Sequence, residues 1–164
     1  MRTLNLLVTA IVVLSCPLSA RPDEHGDSKD AGFFVPDEIK WQEGPKSLPT
    51  GAKLAVLEGD PTKEGYFVMR LRLPDGYSIP PHTHPKTERL TVISGTFNIA
   101  MGEKLDKKSG RKMPAGTFGF WTAGMKHFVW AEDETIVQLH GMGPWKIEYV
   151  NPADDPRNQT KNAK

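Results

Sequence analysis

Two histidines, His82 and His84, are separated by a single residue, and an acidic residue, Glu88, follows four positions later. A third histidine, His127, comes much further along the chain. On an extended strand the His-x-His period puts both imidazoles on one face, with Cα atoms about 6.6 Å apart. Two rings at that spacing can converge on one ion. Pro80 and Pro81 stiffen the approach and Pro85 ends the strand, so Glu88 opens the next strand, where its carboxylate can return to the same centre. Three neutral imidazoles and one carboxylate form a mixed nitrogen and oxygen set that suits Fe(II), Mn(II), Ni(II), Cu(II) or Zn(II). A lone His-x-His pair is a weak signal, so the elements that hold it matter.

The chain of 164 residues suits one domain with short extensions. It carries 21 basic and 20 acidic residues, which argues against nucleic-acid binding through bulk positive charge. Fifteen glycines and 14 prolines punctuate short β-branched and aromatic runs, the pattern of a turn-rich all-β protein. Strands are predicted at 53–57, 66–73, 78–84, 88–94, 96–101, 117–122, 127–131, 135–140 and 145–150, with no helix of convincing length. Short strands at this spacing suggest a sandwich or a barrel, and the chain is too short for two. The basic stretch Lys104 to Lys112 reads as a solvated loop.

The first twenty residues form a separate segment. Arg2, an apolar run from Leu4 to Leu14 and a small-residue exit ending at Ala20 make a secretory signal pattern, too short to span a bilayer comfortably. Cleavage after Ala20 removes Arg2 and Cys16 and leaves a charge-balanced mature chain without cysteine. Val13-Leu14-Ser15-Cys16 also resembles a bacterial lipobox, which would make Cys16 a lipid anchor. Both readings place the protein outside the cytoplasm, in the periplasm or secreted, with no transmembrane helix in the mature form. The expected organisation is a signal peptide over 1–20, a leader and apolar arm over 21–52, a β-barrel over 53–150 and a polar tail over 151–164. Pro152 to Pro156 could fold back over the barrel.

The spacing Gly76, five residues, His82-Thr83-His84, three residues, Glu88, six residues, Gly95 matches the first motif of the cupin superfamily at every position. Gly124, two residues, then His127 resembles the second motif. Thr122 stands where proline is usual and Ala131 where asparagine is common, and neither change removes a ligand. The resemblance covers about Leu54 to Tyr149. It implies a double-stranded β-helix, two antiparallel sheets rolled into a jelly roll, with one divalent metal held by His82, His84, Glu88 and His127. It also implies a homodimer formed through edge strands and the arm Phe33 to Trp41, unless that arm covers its own barrel edge.

Strand parity refines this expectation. Glu88, Leu90 and Val92 share one face, and so do His127, Val129 and Ala131, which gives the ligands an apolar lining. In 66–73 the apolar set belongs inside, which leaves Arg70 and Arg72 outside and unable to clamp a carboxylate substrate. The aromatics Phe67, Phe97, Phe120, Trp121, Phe128 and Trp130 are expected mostly in the core, two of them walling the pocket. One parity aims Gln138 and His140 into the barrel, with His140 as a catalytic base or proton shuttle. Three functions follow: a metal-dependent oxygenase or related oxidoreductase acting on a small molecule, a non-catalytic binding or sensing module, and a sugar isomerase or epimerase. The last needs an interior base, for which His140 is the one evident candidate.

Overall fold

A computed structural model describes residues 31–159. The expected signal segment with Cys16, and the leader through residue 30, lie outside the described residues. Nine strands follow in order: β1 (Gln42–Glu43), β2 (Lys53–Gly59), β3 (Gly65–Leu73), β4 (Ser78–Thr83), β5 (Glu88–Met101), β6 (Arg111–Pro114), β7 (Phe118–Trp121), β8 (His127–Gly143) and β9 (Glu148–Tyr149). All pairings are antiparallel.

Two of these strands are long and serve both walls of the roll. The first half of β5 and the second half of β8 sit in a sheet ordered β1-β2-β3-β8-β5-β7. The other halves sit in a sheet ordered β9-β4-β8-β5-β6. The expected pairs 88–94 with 96–101, and 127–131 with 135–140, are therefore single strands that turn a corner. Gly95 makes the corner in β5 with φ 74°, flanked by register shifts at Val92/Ser94 and Ser94/Thr96. Opposite it in β8, Asp133 takes φ 60° and its amide donates to Asp75 Oδ1 at 2.8 Å. Thr135 is fully buried between them, and its hydroxyl accepts from the Thr96 amide at 3.1 Å.

The alternation of side chains builds the core. Phe67, Met69, Leu71 and Leu73 of β3 line one wall of the roll beside Val137 and Leu139 of β8 and Leu90 and Val92 of β5, each buried. Burying a side chain of this size is worth about 1.5–3 kcal/mol. Arg70 and Arg72 lie outside as expected: Arg70 Nε donates to Gln138 Oε1 at 3.0 Å, and the Arg72 guanidinium stacks 4.5 Å from the Trp41 ring centroid.

The structure departs from some expectations and agrees with others. Lys104 to Ser109 is exposed, as a solvated loop should be, while Arg111 and Lys112 belong to β6, where Met113 is buried. Lys107 and Gly110 lie against Trp130, which clusters with Ala100 and Phe128. Gly110 lies so close to Trp130 that a methyl group there would be 2.1 Å from the ring, which is why the loop needs glycine at that point. Phe118 and Phe120 are exposed on the outer face of β7, so Phe120 is not core. The arm pairs with its own barrel edge through β1 and Trp41, while Phe34 and Val35 stay exposed. The predicted strand 145–150 shrinks to β9. The tail folds back through a short helix, α1 (Pro156–Gln159), with Arg157 Nη2 donating to the Ile147 carbonyl at 3.3 Å. Among the described residues, no helix is long and apolar enough to cross a membrane.

Candidate metal centre

The ladder between β4 and β8 brings residues far apart in sequence side by side. His82 and His127 are direct cross-strand partners, and their ring centroids are 4.2 Å apart. His84, beyond the end of β4, closes a triangle at 5.0 Å from His82 and 5.3 Å from His127. One ring nitrogen from each histidine lies within 4.8 Å of the other two, and all three residues are buried.

The hydrogen bonds set which nitrogen faces inward. Each Nδ1 sits against a backbone carbonyl: Pro80 for His82 at 2.8 Å, Lys146 for His84 at 2.7 Å and Met125 for His127 at 3.0 Å. A carbonyl accepts only, so each Nδ1 carries the proton and each Nε2 presents a lone pair. The Nε2 atoms of His84 and His127 are buried without any hydrogen-bond partner. Glu88 Oε2 lies 3.4 Å from His84 Nε2, so an acceptor faces an acceptor. A cluster of inward lone pairs in an apolar-walled chamber fits a cation, and the donors match a divalent transition metal. In the resting geometry Glu88 stands at the edge of the histidine triad.

Two tryptophans hold that carboxylate. Trp121 Nε1 donates to Glu88 Oε2 at 3.0 Å and Trp145 Nε1 donates to Oε1 at 2.7 Å. Trp121 is placed by register, since it is the direct partner of Glu88 between β7 and β5. From sequence alone Trp121 belongs to the general core and Trp145 to the start of a strand. An indole N–H in a strand beside a buried acid was the available signal, but it needed the strand pairing to be read. Removing one donor leaves the buried carboxylate short of a partner. Trp121→Phe should therefore lower metal affinity about 10–100-fold while the barrel stays folded, measured by chelator competition alongside circular dichroism.

The chamber has a volume of about 20 Å³, enough for about one water by the usual criterion. Apart from the histidines, Glu88 and Trp145 its lining is apolar, including Leu71, Leu90, Phe97, Val137 and Leu139. Of the expected aromatic walls Phe97 is present, joined by Trp145. His140 is absent from the chamber. The inward positions of that part of β8 belong to Val137 and Leu139, so His140 faces outward and stacks on Phe118, ring centroids 6.3 Å apart. Gln138 shares that outer face with Arg70.

Burial lowers the pKa of His82 well below its ordinary 6.5, reinforced by the neighbouring His127 and His84 rings. Burial lowers His127 as well, against the pull of the Met125 carbonyl and the Glu88 charge. Both therefore stay neutral, as ligation requires. Below pH 6.5 the unfolded chain takes up protons at these positions before the folded one does. The metal-free protein should lose stability as pH falls through that window and regain it on return. Urea midpoints at pH 7.5, 6 and 5 check the sign, which His82→Phe should weaken.

The chain has no match among curated protein sequences. Solved structures share its fold at low identity. The polyketide cyclase RemF from Streptomyces resistomycificus superposes with a TM-score of 0.64 at 14% identity, over 81% of this chain and 94% of that one. A candidate acetylacetone dioxygenase from Methylibium petroleiphilum gives 0.57 at 19% identity, over 84% and 98%. The DMSP lyase DddQ from Ruegeria pomeroyi gives 0.54 at 17%, over 70% and 62%. The ChrR Cupin-like domain family matches residues 30–146, most of the chain and both histidine motifs, and the protein belongs to that family of cupins.

Proposed function

We propose that His82, His84, His127 and Glu88 hold one divalent transition metal, and that the protein is an extracytoplasmic oxygenase acting on a small, largely apolar molecule. The observation that carries this reading is the chamber lining: beyond the candidate ligands it offers no acid or base. Chemistry there would depend on a metal with exchangeable positions, which supplies the Lewis acid and the redox partner when bound. The chain's own residues do the rest. Neutral imidazoles present their Nε2 lone pairs, the indoles of Trp121 and Trp145 orient Glu88, and the apolar walls exclude water. The likeness to a candidate dioxygenase fits this reading, and the apolar run before Ala20 fits export.

Protein expressed with its leader, recovered from the periplasm and loaded with Fe(II) should consume O₂ in the presence of a catechol, a thiol or a 1,3-diketone. His127→Ala should abolish that uptake. Tight zinc with no uptake across all three classes would overturn the oxygenase and favour a non-catalytic binding module. The small chamber is the observation on that side. Isomerase chemistry loses its interior base, because His140 lies on the outer face.

A further inference from the structure

Trp145 differs from the rest of the metal centre in being only half-buried, whereas Trp121 is buried. Its indole stacks on His84, ring centroids 5.6 Å apart, and its N–H is tied to Glu88. The same side chain also lines a second pocket of about 100 Å³, together with Pro45, Ser47, Leu54, Thr62 and Met69. Thr62 is exposed on its rim and Met69 is buried at its base. One side chain thus belongs to both the chamber and a cavity that reaches the surface.

We propose that this pocket is the outer half of the small-molecule site, and that Trp145 is the movable wall between it and the metal chamber. The backbone of Trp145 is fixed, its amide donating to the Pro61 carbonyl at 2.6 Å, so the wall opens by rotation of the side chain alone. Glu88 is the latch. When the indole leaves, Trp121 still holds Oε2, so the carboxylate stays oriented while Oε1 becomes free. The two spaces together fall somewhat short of the roughly 150 Å³ that accommodates benzene, and the displaced indole adds room. Among the described residues no cationic side chain lines either space, which disfavours an anion, and the mostly apolar lining favours a neutral molecule of about six to eight heavy atoms, apolar in body.

This inference gives the proposed metal site its ligand class and rests on that reading for its chemistry, but its test does not need the metal. Fluorobenzene is titrated into the protein, metal-free and cobalt-loaded, and followed by ¹⁹F NMR. Wild type should bind it. Trp145→Phe, which keeps a ring and loses the N–H, should exchange it about tenfold faster. Thr62→Trp, at an exposed position that fills the outer pocket, should weaken binding at least about tenfold. No binding to wild type, no change of exchange rate in Trp145→Phe, or full binding in Thr62→Trp would each overturn the proposal. A protein that takes up fluorobenzene in this way yet never binds cobalt supports the pocket and overturns the metal reading.

Discussion

Replacing His84 by alanine should lower the affinity for a divalent transition metal by at least about a hundredfold and leave the barrel folded. The ring contributes one of three convergent nitrogens, and its Nε2 is a buried lone pair without a hydrogen-bond partner. That atom is a cost to the metal-free protein, so its removal offsets part of the lost packing against Trp145. The metal-free variant should stay within about 2 kcal/mol of wild type. Cobalt titration read by visible absorption, with urea unfolding of the metal-free forms, separates the two effects. A variant that binds cobalt as tightly as wild type would remove His84 from the centre.

A large loss of stability is expected at the corner of β5. Gly95→Ala places a methyl group 2.5 Å from Thr135 Oγ1 and 2.6 Å from the Glu134 carbonyl, on a backbone with φ 74°. Left-handed strain costs about 1 kcal/mol and forced overpacking about 1–3 kcal/mol on top, so a loss of about 2–4 kcal/mol is expected. Gly76→Ala is the internal control. It has φ 70° but nothing within 4 Å of the new methyl, so only the strain of about 1 kcal/mol should appear. Chemical denaturation of both variants reads the difference, and equal losses would show that the corner is not tightly packed.

These sites were legible in the sequence to different depths. The one-residue spacing of His82 and His84 pointed to a shared face because extended chain has period two, and β3 declared its inside through Phe67, Met69, Leu71 and Leu73. The parity argument applied to β3 would also have placed His140 correctly, since Val137 and Leu139 outcompete Gln138 and His140 for the interior. The tryptophan grip on Glu88 was not legible, because it depends on Trp121 lying opposite Glu88, a fact of pairing between β5 and β7 rather than of either segment. The continuity of the long strands was hidden for a related reason. Gly95 reads as a chain reversal in isolation, whereas here the strand bends there and passes on to the other sheet.

Because β5 and β8 each run through both walls, the two sheets are joined by continuous strands as well as by loops. Opening of one wall is carried along those strands into the other, so amides in both halves of β8 should exchange with deuterium through one common opening. The pairing of β3 with the end of β8 joins Gly65 to Gly143, a long loop to close before any reward arrives. Such closure belongs to the slow end of single-domain folding, in milliseconds to seconds. A newly made chain therefore spends that interval with unpaired edges, before His127 can meet His82.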